Sequence, residues 1–366
     1  MGRAEMSRYV LAAGGTGGHM IPAHALAEEL VRRGHNVALV SDERGMRFPG
    51  LFEGVETHVL PAGRLGGGPL GYVRAAQSIW AGRAEALRLF REDRPAAVMG
   101  FGGYPALPSL LAAFKAKIST AVHEQNAVLG RVNRLVAGRV DAVATAYPDI
   151  QRLPRKAEAK VRLVGNPVRE EVLALRDKPY PPLDADGVFR VLVTGGSQGA
   201  TVLSDVVPEG LGMLPPVFRA RLQVTHQARA EDIERVRARY ADQGIPAELA
   251  TYLPDLPERL GMAHLVIARS GASTVAELAA AGRPAILVPF AAATDDHQTY
   301  NARELVAAGG ARSIPQAQFT PVELAKQMQK LGLEPEALVN AARRAKGCGR
   351  PEAVRDLADL IEEIGR

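Results

Sequence analysis

Two stretches of this chain, Val10-Leu-Ala-Ala-Gly-Gly-Thr-Gly-Gly18 and Val191-Leu-Val-Thr-Gly-Gly-Ser-Gln-Gly199, follow one plan. In each, an apolar β-rich run ends in glycines and passes into an amphipathic helical pattern. Backbone N–H groups and a helix N-terminus then converge on one spot, which suits an anion. Neither copy is a P-loop, because no Gly-Lys-Ser/Thr follows. Neither completes G-x-G-x-x-G, because the sixth position holds Met20 in one and Val202 in the other. A chain that carries such a turn twice folds most simply as two halves of similar plan with a cleft between them.

Short β-rich runs alternate with helical ones throughout. In the first half they are Tyr9–Ala12, Asn36–Val40, Ala96–Met99, Thr120–His123, Ala142–Thr145 and Val161–Val164. In the second they are Arg190–Thr194, Leu222–His226, Ala250–Leu253, Leu265–Ala268 and Ala285–Pro289. Helical stretches such as Ala23–Arg33, with Leu26, Ala27, Leu30 and Val31 on one face, lie between them. This is βαβ organisation with parallel sheets. The junction is Gly165-Asn-Pro-Val-Arg169, where Gly and Pro end the strand pattern and allow a hinge. The expected division is residues 1–164, residues 165–346, and a C-terminal helix over 347–366 that packs back on the first domain.

At 366 residues the chain has room for two or three domains. Residues 1–164 hold 22 Lys and Arg against 14 Asp and Glu, whereas residues 165–366 hold 23 against 26. A basic first half suits an anionic membrane surface or a pyrophosphate-bearing substrate. Nucleic acid is not expected, since no aromatic stacking platform or reading motif accompanies the charge. A plain solvated surface is the other account of the same residues. The single cysteine, Cys348, excludes an internal disulfide and a Cys-based metal cluster. No apolar run is long enough to cross a membrane and no signal-peptide core precedes the strand pattern at Tyr9, so a cytosolic chain is expected.

The segment Arg269-Ser-Gly-Ala-Ser-Thr-Val-Ala-Glu277 reads as strand end, small-residue turn and helix start. Ser270, Gly271 and Ala272 leave that helix N-terminus open for a diphosphate. Glu277, about one turn in, offers a carboxylate that accepts two ribose hydroxyls. An ordinary βα turn with a solvated Glu277 is the alternative.

Together with Gly100-Phe-Gly-Gly-Tyr-Pro105, His123-Glu-Gln-Asn126, Gly165–Arg169 and His297-Gln298 with Asn301, these motifs resemble the MurG family of glycosyltransferases nearly end to end. The resemblance implies an α/β GT-B fold, two Rossmann-like parallel-sheet domains facing a central cleft. It implies inverting transfer of N-acetylglucosamine from UDP-N-acetylglucosamine to the muramoyl 4-hydroxyl of lipid I, forming lipid II. The first domain would face acceptor and membrane, and the second would bind the UDP-sugar. The expected place is peripheral, on the cytoplasmic face of the cell membrane, with other cell-wall synthesis proteins as further partners.

By the same resemblance, Thr16, Gly17 and Gly18 form the turn that faces the pyrophosphates, and Asn126 contacts the donor. Arg169 and Ser197 hold the diphosphate, and Leu253 supplies a backbone contact to uracil. Ala272, Ser273, Thr274, Val275, Ala276 and Glu277 form the phosphate and ribose segment, while Gln298 and Asn301 read sugar hydroxyls. The family's paired glutamines are here His297-Gln298, so the resemblance carries over only the second of the two sugar contacts.

One inverting step needs one general base. His19 is the first candidate, since a helix N-terminus disfavours imidazolium and keeps an acceptor nitrogen available near neutral pH. Its alternative role is to cap or to bind phosphate. His123 and Glu124 are the competing bases, and Tyr104 is expected to shape the acceptor site. No protein-held metal or cofactor is expected, although a bound divalent cation could stimulate the diphosphate chemistry. The acidic pair Asp295-Asp296 precedes the helical run His297–Ala308 and reads as its cap. Between Arg64 and Phe90, Leu65, Leu70, Tyr72, Ile79, Trp80 and Leu87 interleave with Arg64, Arg74, Arg83 and Arg88 after Gly66-Gly-Gly68. That mixture fits a membrane-surface patch, or else the buried face of a core helix. Two rivals share the site pattern: a UDP-N-acetylglucosamine 2-epimerase, which needs no lipid acceptor, and a sugar-nucleotide sensor without chemistry.

Overall fold

The structure, a computed structural model, describes residues 6–15, 17–47, 51–63, 68–184, 186–196, 199–332 and 335–366. The chain divides into two compact units, Met1–Pro167 with Pro351–Arg366, and Val168–Arg350.

The first unit runs β1 (Arg8–Ala12), α1 (Gly17–Arg32), β2 (Asn36–Ser41), β3 (Glu56–Val59), α2 (Gly68–Glu92) and β4 (Ala97–Gly100). It continues through α3 (Gly103–Ala116), β5 (Ser119–Glu124), α4 (Arg131–Val136), β6 (Ala142–Thr145) and β7 (Val161–Leu163). All its strand pairs are parallel, in the order β3-β2-β1-β4-β5-β6-β7. Apolar runs buried on both sheet faces need helical crossovers to cover them, which is what the intervening helices supply.

The second unit begins with α5 (Glu170–Leu173), β8 (Phe189–Thr194), α6 (Thr201–Gly212), α7 (Pro216–Arg219), β9 (Leu222–Gln227) and α8 (Ile233–Asp242). Next come β10 (Ala247–Ala250), α9 (Leu256–Met262), β11 (Leu265–Ala268), α10 (Ala272–Ala281) and β12 (Ala285–Leu287). It ends with α11 (His297–Ala307), β13 (Ala311–Ser313), α12 (Pro321–Gly332) and α13 (Pro335–Cys348). Its parallel order, β10-β9-β8-β11-β12-β13, repeats the first unit's plan. Each is the doubly wound order of a dinucleotide-binding sheet, reversing beside its first strand.

The last helix, α14 (Ala353–Gly365), belongs to the first unit. Leu357, Ala358, Leu360 and Ile361 join Leu26 and Leu30 of α1 in one buried cluster. Arg33 donates to Asp359 (2.5 Å) and Glu362 (3.1 Å), which places an ionic edge around that apolar contact. Helix α2 is seated by two close approaches. A Cβ on Gly63 would lie 2.3 Å from the Ala75 carbonyl, and one on Gly82 would lie 2.2 Å from that of Pro61.

In the second unit Arg283 is 2% exposed and donates to the carbonyls of Leu260 (2.8 Å), Gly261 (2.8 Å), Ala281 (2.8 Å) and Gly282 (3.2 Å). One guanidinium thus satisfies the C-terminal ends of α9 and α10, where helices leave carbonyls unpaired and the dipole favours a cation.

Helix α1 starts at Gly17, earlier than the expected Ala23, and Val31 is exposed rather than part of its apolar face; three strands differ as well. β10 ends at Ala250, because Leu253 buries its side chain in the following turn rather than in the sheet. β3 and β13 were not anticipated. β3 is a short edge strand with no fully buried residue, so alternation is weak.

Candidate functional site

In a doubly wound sheet, ligands bind beyond the carboxyl ends of the strands where the order reverses. That point lies between β1 and β4 in the first unit and between β8 and β11 in the second. Both Gly-rich turns stand there.

β1 leads into Gly14 and Gly15. A Cβ on Gly14 would fall 2.6 Å from Asp42 Oδ1 and 2.8 Å from the Pro105 ring, so a larger residue does not fit. Gly15, at φ 82°, donates its N–H to Asp42 Oδ1 (3.1 Å), which also accepts from Gly45 N (2.9 Å). Asp42 fixes the turn, yet nothing local in the sequence marks it. Thr16 lies outside the described residues. Gly17 and Gly18 open α1, and His19 follows on its first turn, partly exposed.

The β4–α3 turn supplies Gly102 (φ 90°) and Gly103 (φ 70°), which lie against the His19 ring. Tyr104 sits inside the first turn of α3 rather than in a loop, partly buried against the core. His19 Nδ1 lies 3.0 Å from Oε1 of Gln125, a buried residue that sequence reasoning did not single out.

His123 and Glu124, the alternative bases, are engaged elsewhere. His123 is fully buried, donates from Nε2 to the Gly165 carbonyl (2.9 Å), and has Nδ1 3.1 Å from Gln125 Nε2. Burial pushes its pKa down to about 4. Glu124 is 2% exposed and accepts from the N–H groups of Asn126 (3.1 Å) and Gly130 (2.7 Å) and from the amides of Asn126 (3.3 Å) and Asn133 (2.9 Å). Its oxygens organise the loop that carries Asn126. Neither group is presented to an incoming hydroxyl.

At the second switch point Thr194 leads into Gly195 and Gly196, and Ser197 lies outside the described residues. A Cβ on Gly199 (φ 66°) would meet Arg229 at 2.6 Å. Across the switch, Gly271 is the N-cap of α10 and carries no side chain. The first-turn N–H groups of Ala272, Ser273 and Thr274 precede the first helical bond, Val275 N to Gly271 O (3.0 Å). Such a turn is an anion seat. Val275 turns its own side chain into the core, so it can contribute backbone only. The same holds for Leu253, whose side chain is buried.

Glu277 is not the solvated helix residue of the alternative reading. Its carboxylate is held by Arg169 of the α5 N-cap, with Nη2 at 2.8 Å and Nε at 2.9 Å from Oε1. Burial raises its pKa, and the guanidinium partly opposes that. Arg269, overlooked in the sequence, is a buried cation beside the α10 N-terminus. It donates to the carbonyls of Val288 (3.1 Å) and Pro289 (3.2 Å) and lies 5.2 Å from the Phe290 ring centre. Among the described residues no carboxylate pairs with it.

Asn301 is also corrected. It is fully buried and donates to the Ser270 carbonyl (3.1 Å), so it buttresses the β11–α10 turn from behind instead of facing a sugar. Gln298 accepts from Phe290 N through Oε1 (2.9 Å), which turns its NH₂ group outward. His297 Nδ1 lies 2.8 Å from the Thr294 carbonyl. Asp296 does occupy the N-cap of α11, but in a left-handed conformation (φ 55°) without a side-chain cap, and it accepts from the Thr299 hydroxyl (2.7 Å) instead. Among the described residues no group of three or more His, Cys, Asp and Glu is placed to hold a metal ion.

The Arg64–Phe90 region divides by helix face. Phe90 is buried, with Ile79 and Leu87 packed against the same core. Tyr72, Val73 and Trp80 are exposed, and Arg83 lies 4.7 Å from the centre of the Trp80 ring. Arg64 and Leu65 lie outside the described residues. Among the described residues no helix is long and apolar enough to cross a membrane.

Residues 9–145 match the N-terminal domain of glycosyltransferase family 28, and residues 190–361 match its C-terminal domain. The chain is 65% identical over 358 residues to the UDP-N-acetylglucosamine--N-acetylmuramyl-(pentapeptide) pyrophosphoryl-undecaprenol N-acetylglucosamine transferase of Zymomonas mobilis, covering 98% of this chain and 92% of that one. The transferase of the same name from Novosphingobium aromaticivorans is 64% identical, with the same two coverages, 98% and 92%. Among solved structures, Acinetobacter baumannii MurG superposes with a TM-score of 0.80 at 30% identity, over 98% of this chain and 99% of that one. With two switch-point turns in GT-B units and this likeness from end to end, the chain belongs to the MurG family within glycosyltransferase family 28.

Proposed function

We propose that this chain transfers N-acetylglucosamine from UDP-N-acetylglucosamine to the muramoyl 4-hydroxyl of lipid I with inversion, forming lipid II in peptidoglycan synthesis. The observation that carries the reading is the 65% identity, sustained over 98% of the chain, to a relative whose name states that donor and acceptor.

The first unit takes the acceptor and the second takes the donor. The acceptor hydroxyl gives its proton to His19 Nε2 while its oxygen bonds to the anomeric carbon. The bond from that carbon to UDP breaks, and its electron pair goes to a β-phosphate oxygen. Direct displacement turns an α-linked donor into a β-linked product. The charge that develops on UDP is met by the open N-terminus of α10, by Arg169 and by the buried cation of Arg269. Glu277 Oε2, left by the pair with Arg169, accepts from the ribose, and Gln298 offers its NH₂ group to the sugar.

The reading gives the protein no metal or cofactor of its own, and a divalent cation acts on the diphosphates alone. Exposed Tyr72, Val73 and Trp80 with Arg74 and Arg83 rest on an anionic membrane surface, at its cytoplasmic face, where other cell-wall enzymes also work.

The test is transfer of labelled sugar from UDP-N-acetylglucosamine to a soluble lipid I analogue by the purified protein, with and without a chelator. A β-linked disaccharide product is expected, formed more slowly but still formed in chelator. Free N-acetylmannosamine or released sugar with no acceptor product would refute the reading.

A further inference from the structure

We propose that Gln125 is a positioning residue that fixes the tautomer of His19, so that Nε2 presents its lone pair to the acceptor hydroxyl. The inference rests on the reading of His19 as general base. Gln125 is buried, and its two amide ends are not interchangeable. Nε2 lies 3.1 Å from the Phe101 carbonyl and 3.2 Å from that of His123, groups that only accept. It also lies 3.1 Å from His123 Nδ1. That nitrogen is an acceptor too, because the single hydrogen of a neutral ring is on Nε2, donated to the Gly165 carbonyl at 2.9 Å.

Turning the Gln125 amide over would set Oε1 against three acceptors. Oε1 therefore faces His19, and the 3.0 Å contact requires the hydrogen on His19 Nδ1. A neutral imidazole carries one N–H, so Nε2 is left bare. The glycines of the β4–α3 turn complete the arrangement. A Cβ on Gly103 would stand 3.6 Å from His19 Nε2 and one on Gly102 3.3 Å from Cε1, so hydrogen at these positions leaves that edge open. The His19–Gln125–His123–Gly165 chain ends just before Pro167, the last residue of the first unit's main segment.

Tautomer control of this kind is worth much to a base: in serine-protease triads the wrong tautomer costs about 10⁴-fold in kcat. The experiment compares wild type, Q125L, Q125E and H19Q. Long-range ¹H–¹⁵N spectra read the His19 tautomer, with H19Q assigning the signal. Steady-state kinetics use UDP-N-acetylglucosamine and a soluble lipid I analogue.

Wild type is expected to show His19 as the Nδ1–H form. Q125L should move the hydrogen toward Nε2 and lower kcat by up to the ~10²–10⁴-fold that general-base loss costs, with KM for both substrates unchanged. Q125E keeps an acceptor facing His19 only with its second oxygen protonated, since that oxygen is set against the three acceptors that Nε2 serves; in that form it should hold the Nδ1–H tautomer and recover part of the kcat lost in Q125L, which a merely structural role would not give. Wild type with Nε2–H at His19 overturns the proposal without any variant. So does Q125L with an unchanged tautomer and full kcat, while an inactive H19Q would leave the base reading standing. A switched tautomer in Q125L, with full kcat in both Q125L and H19Q, overturns it through the base reading instead.

Discussion

Arg169 meets Glu277 through one oxygen alone, with Nη2 and Nε 2.8 and 2.9 Å from Oε1, across 108 residues of sequence. Oε2 has no partner among the described residues. The pair links the α5 N-cap to the first turns of α10, so the carboxylate is aimed before any ligand arrives.

Glu277 should therefore trade stability for binding. Its folded pKa is raised, chiefly by burial. A raised carboxyl stabilises the fold while protonated, below the unfolded value, and that contribution is lost as pH rises through the folded value. E277Q removes the loss, so at neutral pH it should be at least as stable as wild type to urea. Its UDP affinity by calorimetry should fall by about 1.5–3 kcal/mol, as for a lost charge-assisted bond. Clear destabilisation with unchanged UDP affinity would make the pair structural only.

Arg283 should behave in the opposite way. Its guanidinium serves four carbonyls at the C-terminal ends of two helices. R283M leaves those groups buried without partners, at about 1–3 kcal/mol each. Several together rival the 5–15 kcal/mol that hold a typical domain. Urea titration should show a large loss of midpoint, partly recovered in R283K, and an unaltered midpoint would contradict the role.

Legibility in the sequence followed locality. The two Gly-rich turns and the β11–α10 turn could be read because each is a contiguous strand, glycine and helix pattern. β10 was misplaced because Leu253 is the more apolar position yet lies beyond an edge strand that is only half buried. Helix α1 starts at Gly17 and carries Pro22 inside it, where the ring removes the bond that a backbone N–H would give to Gly18, so a helix start placed after the proline comes too late. Asp42, Gln125 and Arg269 were missed for a common reason: each acts through a partner that only the fold brings near, 106 residues away for Gln125 and His19. Asn301 shows the converse, a polar residue in a suggestive motif whose amide is turned inward.

Three buried histidines give the protein an acid limit. Burial holds His123 down at about 4 and His226 at about 3, and it lowers His264 as well. Depressed histidines resist protonation in the fold, so stability should fall as pH drops below about 6.5, by up to about 1.4 kcal/mol per pH unit for each. His226 accepts or donates at 2.9 Å to the Tyr240 hydroxyl. H226Q keeps a partner for that hydroxyl but does not titrate. Denaturation from pH 7 to pH 4 should give H226Q a shallower slope, and identical slopes would refute the assignment.

The two faces of α2 should separate membrane binding from folding. Trp80 is 62% exposed and Phe90 4%. W80A with Y72A should leave the midpoint within about 0.5 kcal/mol and reduce sedimentation with phosphatidylglycerol vesicles. F90A should cost about 3–5 kcal/mol. Unreduced vesicle binding in the double variant would place the membrane contact elsewhere.

Sugar transfer with His19 as the base predicts a defect in turnover when H19Q is compared with wild type. The measurement is labelled transfer from UDP-N-acetylglucosamine to a soluble lipid I analogue across pH, with UDP-sugar affinity measured in parallel. Glutamine keeps a hydrogen bond at that position but cannot take the proton. The expected result is a ~10²–10⁴-fold fall in kcat with donor affinity intact. Near-full turnover in H19Q with the same acidic limb would show that His19 is not the base.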